Sequence, residues 1–336
     1  MGTDPIVFGA GALGGFLAAR LGSADQQVGL VARPAVSEAI TSDGLMLREP
    51  SGESVSHPRI AQPADRTDLL ILTVRASDVA RALDSLTERL TPAGVVLAMQ
   101  NGVGSEDLLA EKVGRDRVLI GTATTRVTMP APGRIERHSN GGLALSSMGS
   151  LPVPPEVVAL FRQTGLTVQT IPDYRSLRWS KLILNLLGVA SSAILDMDPA
   201  EVARDPDLFR LELRVVREAA AVAGAQRIPL TSLPGYPVPL LRQVLRLPRP
   251  LAQAVLVPRL AAARGDQSPG LRSDLARGRT EVDYLHGAVA RGGSAARVAT
   301  PTCSALNDLL HRLIEDPSLR ANLRHNPGNL LRHIVP

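Results

Sequence analysis

Residues Pro5–Leu21 read PIVFGAGALGGFLAARL. A short apolar strand, IVF, runs into Gly9, Gly11 and Gly14, and an apolar helix follows over Ala12–Leu21. A GxGxxG pattern carries meaning when a strand precedes it and a helix opens within it, as here. Gly9 permits the tight turn, Gly11 lets backbone approach a pyrophosphate, and Gly14 lets the helix lie close on the strand. Together with Ala10, Ala12 and Leu13 they form a candidate cofactor cradle. Backbone N–H groups at the helix start face the phosphates, and the helix dipole favours their charge. The reading fixes the first half of the chain as an α/β domain on a parallel sheet.

Outward from this turn, Gln27–Ala32 reads as a second strand ending at Arg33. A chain that binds NAD through this motif offers an acid to the ribose hydroxyls near this point. No Asp or Glu stands there, whereas Arg33 can pair with a 2′-phosphate, so NADPH is the expected cofactor. Gly44–Ile60 carries Pro50-Ser51-Gly52 and reads as a hairpin or short insertion. Asp68–Val74, DLLILTV, is a continuous apolar strand suited to burial on both faces. Arg75 follows it, with Ser77 a candidate N-cap for a helix through Leu90. Gly94–Met99 delivers Gln100, Asn101 and Gly102 to a carboxyl-end loop, where open α/β sheets bind ligands. Asn101 is a candidate for the nicotinamide side of the site, and an Asn-Gly turn serving backbone geometry alone is the alternative. Val118–Met148 reads as an antiparallel extension of the sheet, followed by a helix at Pro152–Gln163 and a last strand at Leu166–Thr170.

Near Pro172 strand patterns give way to helical ones. The expected domains are therefore 1–172, binding the dinucleotide, and 173–336, helical and binding substrate. Arg178–Ala193, RWSKLILNLLGVASSA, reads as an apolar helical run. Lysine occurs only at Lys112 and Lys181 among 37 Lys+Arg positions. Arginine holds its proton, whereas a partly buried amine can release one, which makes Lys181 a candidate proton donor. Asn185 is one turn further on the same face. A lysine snorkelling from an apolar helix is the structural alternative. Helices are also expected over Pro199–Ala223, over Arg277–Val289 with Glu281 and Tyr284 three apart, and from Pro301 to Ile314. Pro229–Pro258 should form shorter helices and loops, over the cleft or at a subunit contact.

At 336 residues and 44% hydrophobic composition the chain can build two cores. The net charge of +5 and a pI near 10.1 raise nucleic acid as a partner, but aromatic content of 2% leaves few stacking platforms. Arginines 227, 242, 246, 249, 259 and 264 fall in an acid-free segment, 219–265, which would favour an anion or decorate a solvated surface. No run reaches the roughly 18 apolar residues of a membrane span, and no signal-peptide pattern opens the chain. A cytoplasmic protein without membrane or nucleic-acid partner is expected. Cys303, the lone cysteine, supports neither disulfide nor metal site and reads as a small buried hydrophobe.

The ordered set VFGAGALGG, LVAR, MQNGVG, RWSKLILN, GRTEVDYLHG and TPTCSALNDLL resembles the ketopantoate reductase family through most of the chain. The resemblance implies a Rossmann domain joined to an all-helical domain like that of 6-phosphogluconate dehydrogenase. It implies NADPH-dependent reduction of 2-dehydropantoate, or a related 2-oxo acid, to the 2-hydroxy acid. On this likeness Lys181 is the catalytic lysine, Glu281 the supporting acid, Asn185 a substrate ligand and Asn101 the asparagine of the QNG loop. Three positions depart from the pattern. Arg75 stands in place of a cofactor-binding lysine and Val189 in place of a second asparagine. The expected substrate-binding serine falls at about Gly270, with Ser268 and Ser273 its neighbours. Fewer polar contacts imply a more apolar substrate than ketopantoate. Reduction of another ketone or an imine, and a non-catalytic dinucleotide sensor, are the competing functions; a homodimer is among the oligomeric states left open.

Overall fold

A computed structural model describes residues 2–264, 270–275 and 277–334, and of 259–264 the backbone alone. Ser268 and the end of the arginine-rich segment at Gly265 lie outside the described residues. The chain divides into two compact units, Met1–Leu177 with Leu233–Tyr236, and Arg178–Ser232 with Pro237–Pro336. The division falls within a helix, past Pro172.

In the first unit, strands β1 (Ile6–Phe8), β2 (Gly29–Val31), β3 (Leu45–Glu49), β4 (Gly52–Ser56), β5 (Arg59–Ile60), β6 (Thr67–Leu72) and β7 (Leu90–Ala98) are followed by five more. These are β8 (Val118–Ala123), β9 (Val127–Ala131), β10 (Arg134–Arg137), β11 (Gly142–Ser147) and β12 (Thr167–Thr170). Between them run α1 (Ala12–Gly22), α2 (Pro34–Asp43), α3 (Val79–Thr87), α4 (Ser105–Val113) and α5 (Pro155–Gln163). The main sheet has the order β12-β11-β8-β7-β6-β1-β2-β5. Strands β8 to β5 along that order are parallel, and β11 joins β8 antiparallel. Leu69, Leu70, Ile71 and Leu72 of β6 are fully buried, as a strand covered on both faces requires. Each such side chain contributes about 1.5–3 kcal/mol of transfer free energy.

Three local expectations need correction. Ser77 lies within a 3-10 turn, Ala76–Asp78, and the helix after it is capped at Asp78 and ends at Thr87. Leu90 instead pairs with Thr67 and opens β7. The region 118–148 does not all extend the main sheet: β9 and β10 leave it for a second sheet, β4-β3-β10-β9. The cause is packing on α1, where Ile135 of β10 is buried and an added Cβ at Gly15 would come within 2.6 Å of its Cδ1. Arg20 of α1 and Arg137 of β10 both pair with Glu49 of β3, tying that sheet to the helix.

Helix α6 (Tyr174–Leu186) begins in the first unit and continues into the second. There follow α7 (Val189–Leu195), α8 (Pro199–Arg204), α9 (Pro206–Ala225), α10 (Val238–Val244), α11 (Arg249–Arg264), α12 (Gly270–Leu275), α13 (His286–Ala296), α14 (Pro301–Glu315), α15 (Pro317–Leu323) and α16 (Pro327–Ile334). Apart from short turns, all described elements of this unit are helices. The 20-residue α9 is its spine, packed against α8, α13, α14 and α16, with Leu208, Leu211, Val215 and Ala219 buried. Two expected helices are interrupted. Pro206 divides 199–223, with Asp205 capping α9 by accepting from Asp207 and Leu208 N–H. Arg277–Val289 is not one helix: Gly278 has φ +65°, Glu281 precedes a 3-10 turn, Val282–Tyr284, and α13 starts only at His286.

Candidate active site

The glycine turn sits at the carboxyl end of β1 in the middle of the main sheet. Gly9 has φ +113°, a conformation L side chains rarely adopt, and its N–H donates to Val31 O of β2 at 3.0 Å. Its carbonyl accepts from Thr73 Oγ1 at 2.6 Å. An added Cβ at Gly14 would lie 2.0 Å from Gly9 O and 2.5 Å from Thr73 Oγ1, so only glycine allows α1 this close to the turn. At Gly11, by contrast, an added Cβ would meet nothing within 4 Å. The turn is thus closed behind by protein and open in front, where the first N–H groups of α1 have no intrahelical acceptor. No acid occupies the first turn of α1. An open, donor-rich and acid-free helix start fits a dinucleotide's pyrophosphate.

The neighbouring strand ends carry the other candidates of this unit. Arg33 follows β2 as the N-cap of α2, exposed and without an ion pair among the described residues. Arg75 follows β6 and is half-buried. Gln100, 3% exposed, donates from Nε2 to Leu72 O at 2.8 Å and Val74 O at 3.1 Å, which fixes the backbone leading to Arg75. Asn101 is exposed just beyond it, ahead of α4. Arg33, the glycine turn, Arg75 and Asn101 therefore follow four adjacent strands, β2, β1, β6 and β7.

In the helical unit Lys181 and Asn185 occupy successive turns of α6 and are both half-buried. Leu182, Ile183 and Leu186 of the same helix are buried, as are Arg178 and Trp179, so packing fixes the helix rotation. Ser180 adds a polar tie by accepting from Thr231 N–H at 2.8 Å. The run ends earlier than the sequence suggests, because Gly188 adopts φ +76° and separates α6 from α7. Val189 is the half-buried first residue of α7. Glu281 is half-buried on its own segment, where Thr280 Oγ1 accepts from Val282 N–H. Ser273 is exposed on α12, and its hydroxyl donates to Gly270 O at 2.8 Å.

Sequence reading missed Thr73, the bracing role of Gln100, and Glu212. Glu212 is 2% exposed on α9, four residues after buried Leu208 and four before buried Val216. An acid at that spacing on an apolar helix face was the available signal. Burial pushes the Cys303 thiol well above its ordinary range. Neither ring nitrogen of fully buried His286 has a hydrogen-bond partner. Among the described residues no group of three or more His, Cys, Asp or Glu could hold a metal ion. No helix among them is long and apolar enough to cross a membrane.

Comparison with known proteins gives a consistent result. Residues 6–150 match the family model of ketopantoate reductase PanE/ApbA, and residues 173–314 match its C-terminal counterpart. The 2-dehydropantoate 2-reductase of Halobacterium salinarum is 30% identical over 317 residues, covering 91% of this chain and 97% of the relative. The crystal structure of a PanE/ApbA family ketopantoate reductase from Ralstonia eutropha JMP134 has a TM-score of 0.79 at 26% identity, covering 93% of this chain and 99% of that one. A ternary structure of D-mandelate dehydrogenase with NADH and anilino(oxo)acetate has a TM-score of 0.78 at 23% identity, covering 94% and 99%, and shares the fold.

Proposed function

The chain belongs to the ketopantoate reductase family, an oxidoreductase family acting on CH–OH groups, and from that premise we propose that it reduces 2-dehydropantoate or a related 2-oxo acid with NADPH. The observation that carries the reading is the Lys181/Asn185 pair on one face of α6, in the segment matched by the family's C-terminal model. Bound NADPH would supply the hydride. The residues suited to hold it are Gly9, Ala10, Gly11, Ala12, Leu13 and Gly14 at the pyrophosphate, and Arg33 at the 2′-phosphate. Arg75 and Asn101 complete the set. A guanidinium at Arg75 remains cationic where the family pattern has an amine, and adds a planar fork of donors.

Reduction of a ketone builds negative charge on its oxygen. The Lys181 ammonium stabilises that charge and delivers the proton from Nζ to the oxygen, leaving the 2-hydroxy acid and a neutral amine that solvent reprotonates. Glu281 supports the site by favouring the charged form of the lysine before each turnover. Asn185 donates its amide to the substrate, and Ser273 joins it once its hydroxyl turns from Gly270 O. A 1–172 cofactor domain and a 173–336 substrate domain would suit this division of roles, with the compact units themselves parting a few residues later, in a cytoplasmic enzyme with neither nucleic acid nor membrane as partner.

Val189 supports a second reading of the substrate. Four residues after Asn185, past the break at Gly188, the chain offers a half-buried isopropyl group where the family pattern has an amide, which suits an apolar side chain better than the hydroxyl of ketopantoate. Steady-state NADPH oxidation with 2-dehydropantoate and with 2-oxo acids bearing branched or aryl side chains tests both readings. A higher kcat/KM for the apolar acids favours the second, and a higher value for 2-dehydropantoate the first. Turnover of none of them, with NADPH still bound, would leave the sensor in their place.

A further inference from the structure

Gly188 stands at the N-cap of helix α7 and has no side chain with which to cap it. A carboxylate from another helix holds this junction. Glu212 of α9 accepts the Gly188 N–H on Oε2 at 2.6 Å and the Ser191 hydroxyl on Oε1. Ser191 is fully buried, and Glu212 is 2% exposed. Removing a carboxylate from water is costly, and at such a position on α9 an apolar side chain would serve packing alone more cheaply. What the carboxylate adds is two acceptors, one for the Gly188 N–H and one for the Ser191 hydroxyl.

The held point is functionally placed. Gly188 lies three residues after Asn185, so fixing its amide fixes where α6 stops and how its last turn is presented. We propose that Glu212 is a positioning residue: by clamping Gly188 and Ser191 it sets the terminal turn of α6 and, through it, the substrate amide of Asn185. The inference rests on the reductase reading for its kinetic consequence, but its structural half stands apart from it. Lys181, a full turn further from the break, depends on the clamp less than Asn185 does. The clamp therefore acts on recognition of the 2-oxo acid more than on proton delivery.

The test uses the full chain carrying Glu212→Gln, a near-isosteric change that removes the charge. The expected result is a rise in KM for the 2-oxo acid of about tenfold, with kcat changed less and the Kd for NADPH unchanged. Combined with Asn185→Ala, it should add little to the loss in kcat/KM caused by Asn185→Ala alone. Additive losses would overturn the proposal, because a general packing defect does not act through one side chain. Hydrogen exchange supplies a readout independent of turnover: the Gly188 amide should exchange faster in Glu212→Gln, while amides of α14 keep their protection. Unchanged exchange at Gly188 would refute the clamp even in an active enzyme. A wild-type chain inactive on every 2-oxo acid, with Glu212→Gln still showing the faster exchange at Gly188, would refute the reductase reading instead. Should Glu212→Gln fail to fold, Ser191→Ala keeps the carboxylate and loses its tie to the Ser191 hydroxyl. A smaller shift in the same KM then upholds the clamp, and a wild-type KM refutes it.

Discussion

Two side chains bear quantitative predictions of their own. Arg33 is exposed at the end of β2, without an ion pair among the described residues. Its guanidinium is available to a 2′-phosphate, and a charge-assisted contact of that kind is worth about 1.5–3 kcal/mol. Arg33→Ala should therefore weaken NADPH binding by roughly ten- to a hundredfold and leave NADH binding unchanged. Titration of both cofactors checks this, and an unaltered preference would remove Arg33 from the cofactor site. His286 is fully buried, and burial lowers its pKa from 6.5 to about 4. The unfolded chain thus takes up a proton near pH 6.5 that the folded chain refuses until about pH 4. Stability is full above pH 6.5 and falls as pH drops through that window, by about 3 kcal/mol in all. Denaturant titrations at pH 7.5 and 4.5 should show the loss, and His286→Leu, which has no proton to bind, should flatten the slope. An equal pH dependence in the variant would assign the loss to other groups.

At the scale of elements, much of the cofactor half was legible because its signals are local. PIVFGAGALGG names its strand, turn and helix within a dozen residues, and DLLILTV announces a strand buried on both faces. Gly14→Ala tests the first of these. An added Cβ 2.0 Å from Gly9 O cannot be accommodated by a side-chain rotation, since the obstacle is backbone. Overpacking of this kind should cost about 2–3 kcal/mol, measured by denaturant unfolding, and weaken dinucleotide binding as well. A variant with wild-type stability and affinity would mean that α1 does not rest on the turn as described. Elements whose limits are set by distant partners were harder to read. β10 joins β3 through Arg134 and Met46, and no local pattern reports a pairing across such a span. The Glu281 segment carries helical spacing in sequence, but Gly278 and the Thr280 hydroxyl turn the chain before a helix can form. Gly188 was visible as a residue, whereas the carboxylate that accepts its N–H comes from α9.

For the whole molecule, the two units have distinct chemistry. The first collects backbone donors and cations, Arg33 and Arg75, at the carboxyl ends of adjacent parallel strands. The second contains a single lysine, Lys181, in a chain whose other lysine, Lys112, is paired with Asp84 in the first unit. Composition made Lys181 conspicuous, and the family match places both units among reductases. What composition could not supply was the support around it: the packing of Leu182, Ile183 and Leu186, the tie from Ser180 to Thr231, and the clamp at Gly188. Those contacts come from residues remote in sequence and make the helix face a fixed one. The proposed division of labour, hydride from the cofactor and proton from the helical unit, has one most direct test. Lys181→Ala should bind NADPH with wild-type affinity while kcat for the preferred 2-oxo acid falls about a hundredfold or more. Turnover at the wild-type rate with cofactor bound would contradict the assignment of Lys181 as the proton donor.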